Sequence, residues 1–132
     1  MSQENVELVL EIHKAVIQGD LDGVLSRSHP NAEYRAATQQ AIEGEGSAFR
    51  GHAGIRRWFT ELHDLYEDLS SEVLEVRDLG DQVVVAFVVR GRGTGSGITL
   101  EQSLAQVVTL RDGKVIETSE YFSLEEALAA VG

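Results

Sequence analysis

Cysteine is absent from the 132 residues of the sequence, which excludes disulfides, thiol nucleophiles and thiolate metal sites together. Long apolar runs are missing too, because the longest, residues 83–89, is far shorter than the stretch of about 20 residues that crosses a bilayer. The N-terminal segment shows no basic region followed by an apolar one, as a secretory signal would. We therefore expect a soluble, cytoplasmic protein that is not inserted in a membrane.

Basic residues are scarce. The sequence has 11 Lys and Arg against 22 Asp and Glu, which gives a formal net charge of −11. Because affinity for nucleic acid comes mostly from neutralising phosphates, this charge argues against nucleic acid as a partner. The acidic residues are scattered along the chain, as is typical of a solvated surface.

Helical periodicity dominates the first half of the chain, and the length is that of one ordinary domain over residues 1–132. A short helix is predicted to start at Asp20 as its N-cap and to stop before Pro30. Residues 32–36 are predicted as a short strand, and the polar residues 39–51 as a long loop of the kind that borders binding sites. The two other predicted helices cover residues 4–18 and 52–69.

From residue 71 onward the pattern becomes that of strands, predicted over residues 71–79, 82–90, 98–111 and 114–122. The Asp112-Gly113 pair signals a tight hairpin. Ser123 and Glu126 form a capping box that opens a short C-terminal helix. Helices followed by an antiparallel meander predict an α+β fold, with the helices packed on one face of a curved sheet.

Several local patterns resemble cofactor sites without meeting their requirements. The alternating glycines of residues 90–97 join two strands, and no helix follows them to bind a phosphate. His52 and His63 lie on the third predicted helix with no third metal ligand in view. No Gly-x-Ser-x-Gly turn indicates a serine triad. No metal or nucleotide cofactor is therefore indicated.

The order of elements, together with the segments GDLDGVLSRSHPNAEYR, FRGHAGIRRWF and LRDGKVIETSEYFSLEEAL, resembles the SnoaL-like branch of the nuclear-transport-factor-2-like superfamily. That superfamily includes ketosteroid isomerases, polyketide cyclases and limonene-type epoxide hydrolases. The resemblance covers nearly the whole chain and implies a cone-shaped fold, in which the helices and a bent sheet enclose an apolar pocket. The superfamily's chemistry varies widely on this one scaffold.

The resemblance also implies that two of the superfamily's reactions lack their catalytic residues in this chain. Counting from the GDLDG segment places Ile12 where ketosteroid isomerases carry the tyrosine of the oxyanion hole, and Ala36 where they carry the proton-transferring aspartate. Gln106 lies near the position of their second acid. Without a base and a strong neutral donor, isomerisation by that mechanism is not expected. The epoxide hydrolases need an arginine and a second acid on a middle strand, where this chain has only Arg90 at the far end.

Glu120 matches the carboxylate that the cyclase and epoxide-hydrolase relatives place on the last strand. Strand alternation puts Glu120 on one face with Ile116, Thr118 and Phe122, and Val115 on the other. If the first face lines the pocket, burial raises the pKa of Glu120 and makes it a better general base. The alternative is a structural ion pair with an arginine of the neighbouring strand or of the third predicted helix, for instance Arg56 or Arg57.

Other side chains are candidates for substrate binding. Gln106 or Tyr34 can orient a ligand oxygen, and Trp58 can form an apolar wall. His13 lies on the apolar stripe of the first helix and is either a core residue or part of the pocket. The predicted site thus consists of Glu120 as catalytic residue, with Gln106, Tyr34, Trp58, His13, Thr118 and Phe122 as binding residues.

Three functions stay open at this point. The first is an enzyme that acts on a small apolar carbonyl or polyketide-like molecule, with Glu120 as base. The second is a carrier or sensor of a hydrophobic metabolite, and the third is a dimeric structural module. Residues 83–89 are apolar on both faces of their strand, so the outer face needs cover. Because the relatives commonly dimerise through this sheet, we predict a homodimer.

Overall fold

Helices pack on a curved sheet in the computed structural model, which describes residues 2–44 and 46–131. The predicted α+β fold is therefore confirmed. In the described part of the chain the elements are α1 (Ser2–Gln18), α2 (Leu21–Ser26), β1 (Ser28–Arg35), α3 (Ala37–Glu43), β2 (Phe49–Arg50), α4 (Gly51–Leu65), β3 (Tyr66–Asp78), β4 (Gln82–Gly93), β5 (Thr99–Arg111), β6 (Lys114–Tyr121) and α5 (Leu124–Val131).

The sheet has the strand order β2-β1-β6-β5-β4-β3. Strands β3 to β6 form an antiparallel meander, as the strand pattern predicted. Strand β1 then pairs with β6 in parallel, and β2 adds to β1 antiparallel. The last strand therefore lies between β1 and β5, which brings residues from both ends of the chain together on one face.

Three local signals in the sequence are confirmed. The carboxylate of Asp20 accepts a hydrogen bond from the Gly23 amide at 2.9 Å and caps α2. Asp112 and Gly113 adopt φ values of 53° and 74°, the left-handed pair that a two-residue hairpin requires. The Ser123 hydroxyl accepts a hydrogen bond from the backbone N–H of Glu126 at 3.1 Å, which is the capping box at the start of α5.

The predicted helix over residues 52–69 is too long at its C-terminal end. Helix α4 ends at Leu65, and the chain continues directly into β3. Tyr66 and Leu69 continue the helical spacing of apolar residues, but pairing with β4 on both sides of Leu69, at Glu67 and at Ser70, makes this segment a strand. A bulge at Asp68, with φ at 56°, resets the alternation of β3.

Two predictions for the segment before α4 are also corrected. Strand β1 begins at Ser28 and contains Pro30, which is tolerated because the pairing with β6 is irregular between Ser28 and Glu33. The predicted loop over residues 39–51 contains most of α3 and all of β2. Nothing in the local sequence announces α3, because its N-cap residue, Ala36, has no capping side chain.

The core occupies both faces of the sheet. On the inner face, Val9 of α1 packs with buried side chains of β4, β5 and β6, and α2 and α4 pack against β1. On the outer face, Ala127 of α5 is fully buried against Val84, Ala86 and Val107. The last helix of the chain therefore covers part of the outer face that we expected a partner to cover.

Two glycines in the FRGHAG segment set the start of α4. Gly51 has φ at 68°, a conformation that favours glycine. A Cβ atom on Gly54 would lie only 2.8 Å from the backbone carbon of Phe49, so α4 and β2 approach closely at this point. Among the helices of residues 2–44 and 46–131, none combines the length and the apolarity needed to span a bilayer.

Candidate functional site

A cavity of about 310 Å³ lies between the helices and the inner face of the sheet. Its volume is at the lower end of the range, about 300 to 1,000 Å³, that small-molecule sites occupy. Most of its wall is aliphatic or aromatic, and representative lining residues are Val9, Ile12, Ile55, Phe87, Leu104 and Val108.

Glu120 lies in this cavity and is only 7% exposed. One carboxylate oxygen, Oε2, accepts hydrogen bonds from the Tyr34 hydroxyl at 2.8 Å and from Gln106 Nε2 at 2.9 Å. The other, Oε1, accepts one from the backbone N–H of Ala37 at 3.1 Å. The topology explains this cluster, because β5 pairs Gln106 directly with Glu120 and β1 runs beside β6 on its other side.

The electrostatics of the cluster are those of a buried carboxylate with neutral partners. Burial raises the pKa of Glu120, and the three hydrogen bonds from Gln106, Tyr34 and Ala37 oppose that rise only in part. Burial and the neighbouring Glu120 carboxylate raise the pKa of Tyr34 well above its usual value. The Tyr34 phenol therefore stays protonated and acts as a donor.

No ion pair between Glu120 and a cation is formed within the residues that the structure describes. Arg57 instead contacts Glu61, with Nε and Oε2 at 3.4 Å, and lies over the ring of Phe49. Arg56 is exposed on α4. The ion pair that we considered as an alternative role for Glu120 is therefore not present. Glu33, the other carboxylate in the lining, differs because Arg35 pairs with it at 2.8 Å.

An aromatic cluster shapes the wall beside Glu120. The rings of Tyr34 and Trp58 meet edge to face, with centroids 4.4 Å apart and planes at 76°. The ring of Phe49 stacks on that of Tyr34, with centroids 6.4 Å apart. This packing fixes the phenol that donates to Glu120.

His13 occupies another part of the cavity wall. Its Nε2 lies 2.6 Å from the hydroxyl oxygen of Ser71 in β3, and its ring meets Phe87 edge to face at 4.6 Å. Burial lowers the pKa of His13, so the imidazole is neutral near pH 7. His52 and His63 have a different role, because each places Nε2 within 3 Å of a backbone carbonyl oxygen. The described residues hold no group of three or more potential metal ligands.

Six of the seven predicted site residues line this one cavity: Glu120, Gln106, Tyr34, Trp58, His13 and Thr118. Phe122 does not line it and is 43% exposed. The predicted alternation fails at both ends of β6. A bulge near Ile116 turns Val115 into the cavity beside Thr118, and Phe122 lies beyond the end of the strand at Tyr121.

The sequence did not show which group accepts the hydrogen bonds of Gln106 and Tyr34. We expected Gln106 or Tyr34 to orient a ligand oxygen, whereas both donate to Glu120. The Ala37 N–H was missed altogether, because any residue can supply a backbone donor and no sequence signal marks it. Ile12 and Ala36, which the resemblance places where ketosteroid isomerases carry their tyrosine and aspartate, line the cavity but carry no polar side-chain group.

The bent sheet, the helices on its inner face and the cavity between them define the nuclear-transport-factor-2-like class of folds. A family model of the SnoaL-like domain matches residues 9–118, and the chain belongs to this family. The comparison with curated proteins gave no match.

Solved structures agree with this assignment. TerC, crystallised with polyporic acid, is 25% identical over 96% of this chain and 98% of its own, with a TM-score of 0.77. A nuclear-transport-factor-2-like protein from Burkholderia xenovorans LB400 is 29% identical over 97% and 95% of the two chains, with a TM-score of 0.75. A protein from Jannaschia sp. CCS1, named as a SnoaL-like polyketide cyclase, is 23% identical over 98% and 92%, with a TM-score of 0.79.

Proposed function

We propose that the cavity binds a small apolar molecule with a carbonyl oxygen, and that Glu120 acts on it as a general base in an isomerase- or cyclase-type reaction. One observation carries this proposal. A carboxylate that is 7% exposed lies in the wall of an apolar cavity, and its partners are neutral donors rather than cations. Such a group holds a proton more readily than an exposed carboxylate does.

The two carboxylate oxygens have different tasks in this proposal. Tyr34 and Gln106 both donate to Oε2 and hold the side chain in one orientation. Oε1 has a single donor, the Ala37 N–H, and keeps capacity to accept a proton. When Glu120 takes a proton from the carbon beside the carbonyl, the bond electrons move to the carbonyl oxygen as an enolate. Gln106 has a second N–H that can donate to that oxygen.

The relatives support binding of a small molecule in this fold. TerC, which shares a quarter of its residues with this chain over nearly their full lengths, was crystallised with polyporic acid. The name of the Jannaschia protein points to cyclase chemistry, but at its level of identity only the shared fold follows. The reaction type assigned to this chain therefore depends on Glu120 and its surroundings.

Proton abstraction can be tested without knowing the natural substrate. A panel of cavity-sized apolar ketones in heavy water should gain deuterium at the carbon beside the carbonyl when the protein is present, as followed by NMR. Glu120→Gln keeps the shape and removes the base, so the protein-dependent rate should fall by roughly 100-fold or more. Glu117→Gln is the matched control, because Glu117 is on the same strand but bonds Arg35.

Unchanged exchange in the Glu120→Gln protein would remove Glu120 as the base. A carrier or sensor of a hydrophobic metabolite is the second candidate. It is favoured because Ile12 and Ala36, which the resemblance places at the catalytic positions of ketosteroid isomerases, line the cavity without a polar side-chain group. Ketones that raise the melting temperature without exchanging deuterium would support this carrier.

We also propose that the protein forms a homodimer through its sheet. Strand β3 is one edge of the sheet; Val73 and Leu74 on it are 39% and 58% exposed, and Leu79, directly after it, is 50% exposed. Apolar side chains concentrated on one strand favour association. Helix α5 already covers the outer face over β4 and β5, so the contact is expected nearer to β3.

A further inference from the structure

We infer that His13, whose ring is held by a hydrogen bond to Ser71, forms a second polar subsite in the cavity, which binds a hydroxyl group at the end of the ligand opposite to the end that Glu120 binds. The inference rests on the proposed binding of a small apolar molecule and specifies its class. The ligand is an elongated apolar molecule with one polar group at each end.

Glu120 and His13 lie against different strands of the sheet. Glu120 is on β6, whereas the ring of His13 packs against Phe87 of β4 and bonds Ser71 of β3. Since β5 lies between β6 and β4, two strand spacings, roughly 10 Å, separate Glu120 from the strand under His13. The intervening strand contributes the apolar side chains of Leu104 and Val108 to the wall.

The surroundings of His13 favour a neutral group over an ion. Its lowered pKa keeps the imidazole uncharged at neutral pH, and the net charge of −11 disfavours an anionic ligand. One ring nitrogen, Nε2, bonds Ser71, and Nδ1 makes no hydrogen bond within the described part of the chain. A hydroxyl both donates and accepts, so it matches Nδ1 in either tautomer of the ring.

The surroundings of His13 differ from those of two other histidines, His52 and His63, which bond the backbone. His52 and His63 direct Nε2 to the backbone carbonyls of Ser28 and Val16, and neither lines the cavity. His13 lines the cavity and bonds a side-chain hydroxyl instead. A histidine needed only to join α1 to the sheet would not have to face the cavity.

A matched pair of probes tests the subsite. The first is para-hydroxybiphenyl, and the second is its para,para′-dihydroxy analogue, which adds one hydroxyl at the far end of the same apolar body. Isothermal titration calorimetry on the wild-type chain should show tighter binding of the second probe by roughly threefold to tenfold, the value of one net hydrogen bond.

In His13→Phe the preference for the second probe should disappear, because the phenylalanine ring offers no hydrogen-bond partner to the far hydroxyl. Phenylalanine keeps the edge contact with Phe87, and His13→Leu replaces it if the first variant does not fold. His29→Phe, at a histidine outside the cavity lining, is the control and should keep the preference.

Equal binding of the two probes to the wild-type chain, or a preference that survives in both His13 variants, would overturn the subsite. Binding of the first probe would in either case leave the proposed ligand cavity standing. If neither probe binds, the subsite fails together with the proposed binding of apolar molecules.

Discussion

At the scale of single residues, Glu120 is subject to two opposing influences. Burial disfavours its charge, whereas the donors Tyr34, Gln106 and Ala37 favour it. Since burial has the larger effect, the pKa of Glu120 is higher in the folded chain than in the unfolded chain. A structural carboxylate with a cationic partner would show the opposite sign, so the direction of the shift is informative about its role.

The raised pKa of Glu120 predicts how stability depends on pH. Below the carboxyl pKa of the unfolded chain both states hold the proton, and the favourable burial of the neutral acid is fully present. Between the two pKa values the folded state holds more protons, so the free energy of unfolding falls as pH rises. Relative to Glu120→Gln, the wild-type chain should lose at most about 1.4 kcal/mol per pH unit in this window.

Urea unfolding of both proteins between about pH 4 and pH 8 measures this difference. The difference should decrease with pH and then level off above the folded-state pKa of Glu120. A constant difference, or one that grows with pH, would contradict a raised pKa and would weaken the case for Glu120 as a base.

The part of the site that could be predicted is the part that regular strand geometry fixes. Thr118 and Glu120 face the cavity as alternation predicts, because β6 is regular between them. Val115 departs from the prediction because a bulge separates it from the regular part of β6. Phe122 departs from it because the strand ends at Tyr121. Bulges depend on pairing with the neighbouring strand, and the sequence of β6 alone does not contain that information.

At the scale of secondary-structure elements, α3 depends on the candidate site. This seven-residue helix has Ala36 at its N-cap and no side-chain cap of its own. Glu120 supplies the missing acceptor, since its Oε1 bonds the N–H of Ala37, the first residue of α3. Gln39 on the same helix is buried, and its side-chain oxygen has no partner among the described residues, so that oxygen does not help to hold α3.

This capping predicts that removal of the Glu120 carboxylate loosens α3. In Glu120→Ala, the amides of residues 37–43 should exchange with deuterium faster, by roughly fivefold to thirtyfold for a lost cap worth about 1 to 2 kcal/mol. Glu120→Gln keeps an acceptor oxygen and should show a smaller change. Hydrogen exchange followed by mass spectrometry or NMR gives both values.

Glu117→Ala serves as the control, because Glu117 contacts Arg35 and not α3. Equal exchange of residues 37–43 in Glu120→Ala and the wild-type chain would show that α3 does not need this cap. A loosened α3 would also explain why the helix could not be predicted, since its stabilising contact lies 83 positions away in the sequence.

The boundary between α4 and β3 also depends on a non-local contact, which here ends a helix instead of stabilising one. The apolar spacing through Tyr66 and Leu69 is compatible with a helix, yet the pairing of β3 with β4 extends back to Tyr66, interrupted by bulges. Pairing between strands is a non-local interaction and here outweighs local periodicity. By contrast, α1, α2 and α5 were predicted well, because caps and amphipathic spacing are local signals.

At the scale of the whole molecule, the helices cover the two faces of the sheet to different extents. The inner face is only partly filled by α1, α2 and α4, which leaves the cavity. The outer face over β4 and β5 is packed tightly by α5. The apolar pattern of residues 83–89 thus reflects the need to be covered on both sides by this chain's own helices, and it is weaker evidence for a partner than we expected from the sequence.

Dimerisation is therefore a prediction that now concerns strand β3. A homodimer at micromolar concentration should scatter light with twice the mass of one chain. Leu74→Glu should shift it toward the monomer, since burial of an unpaired carboxylate in an apolar contact is costly. Ile42→Glu is the matched control, because Ile42 is 78% exposed but lies on α3, away from the sheet edge. A wild-type monomer, or equal dissociation in the two variants, would contradict association through the sheet and would leave α5 as sufficient cover for its outer face.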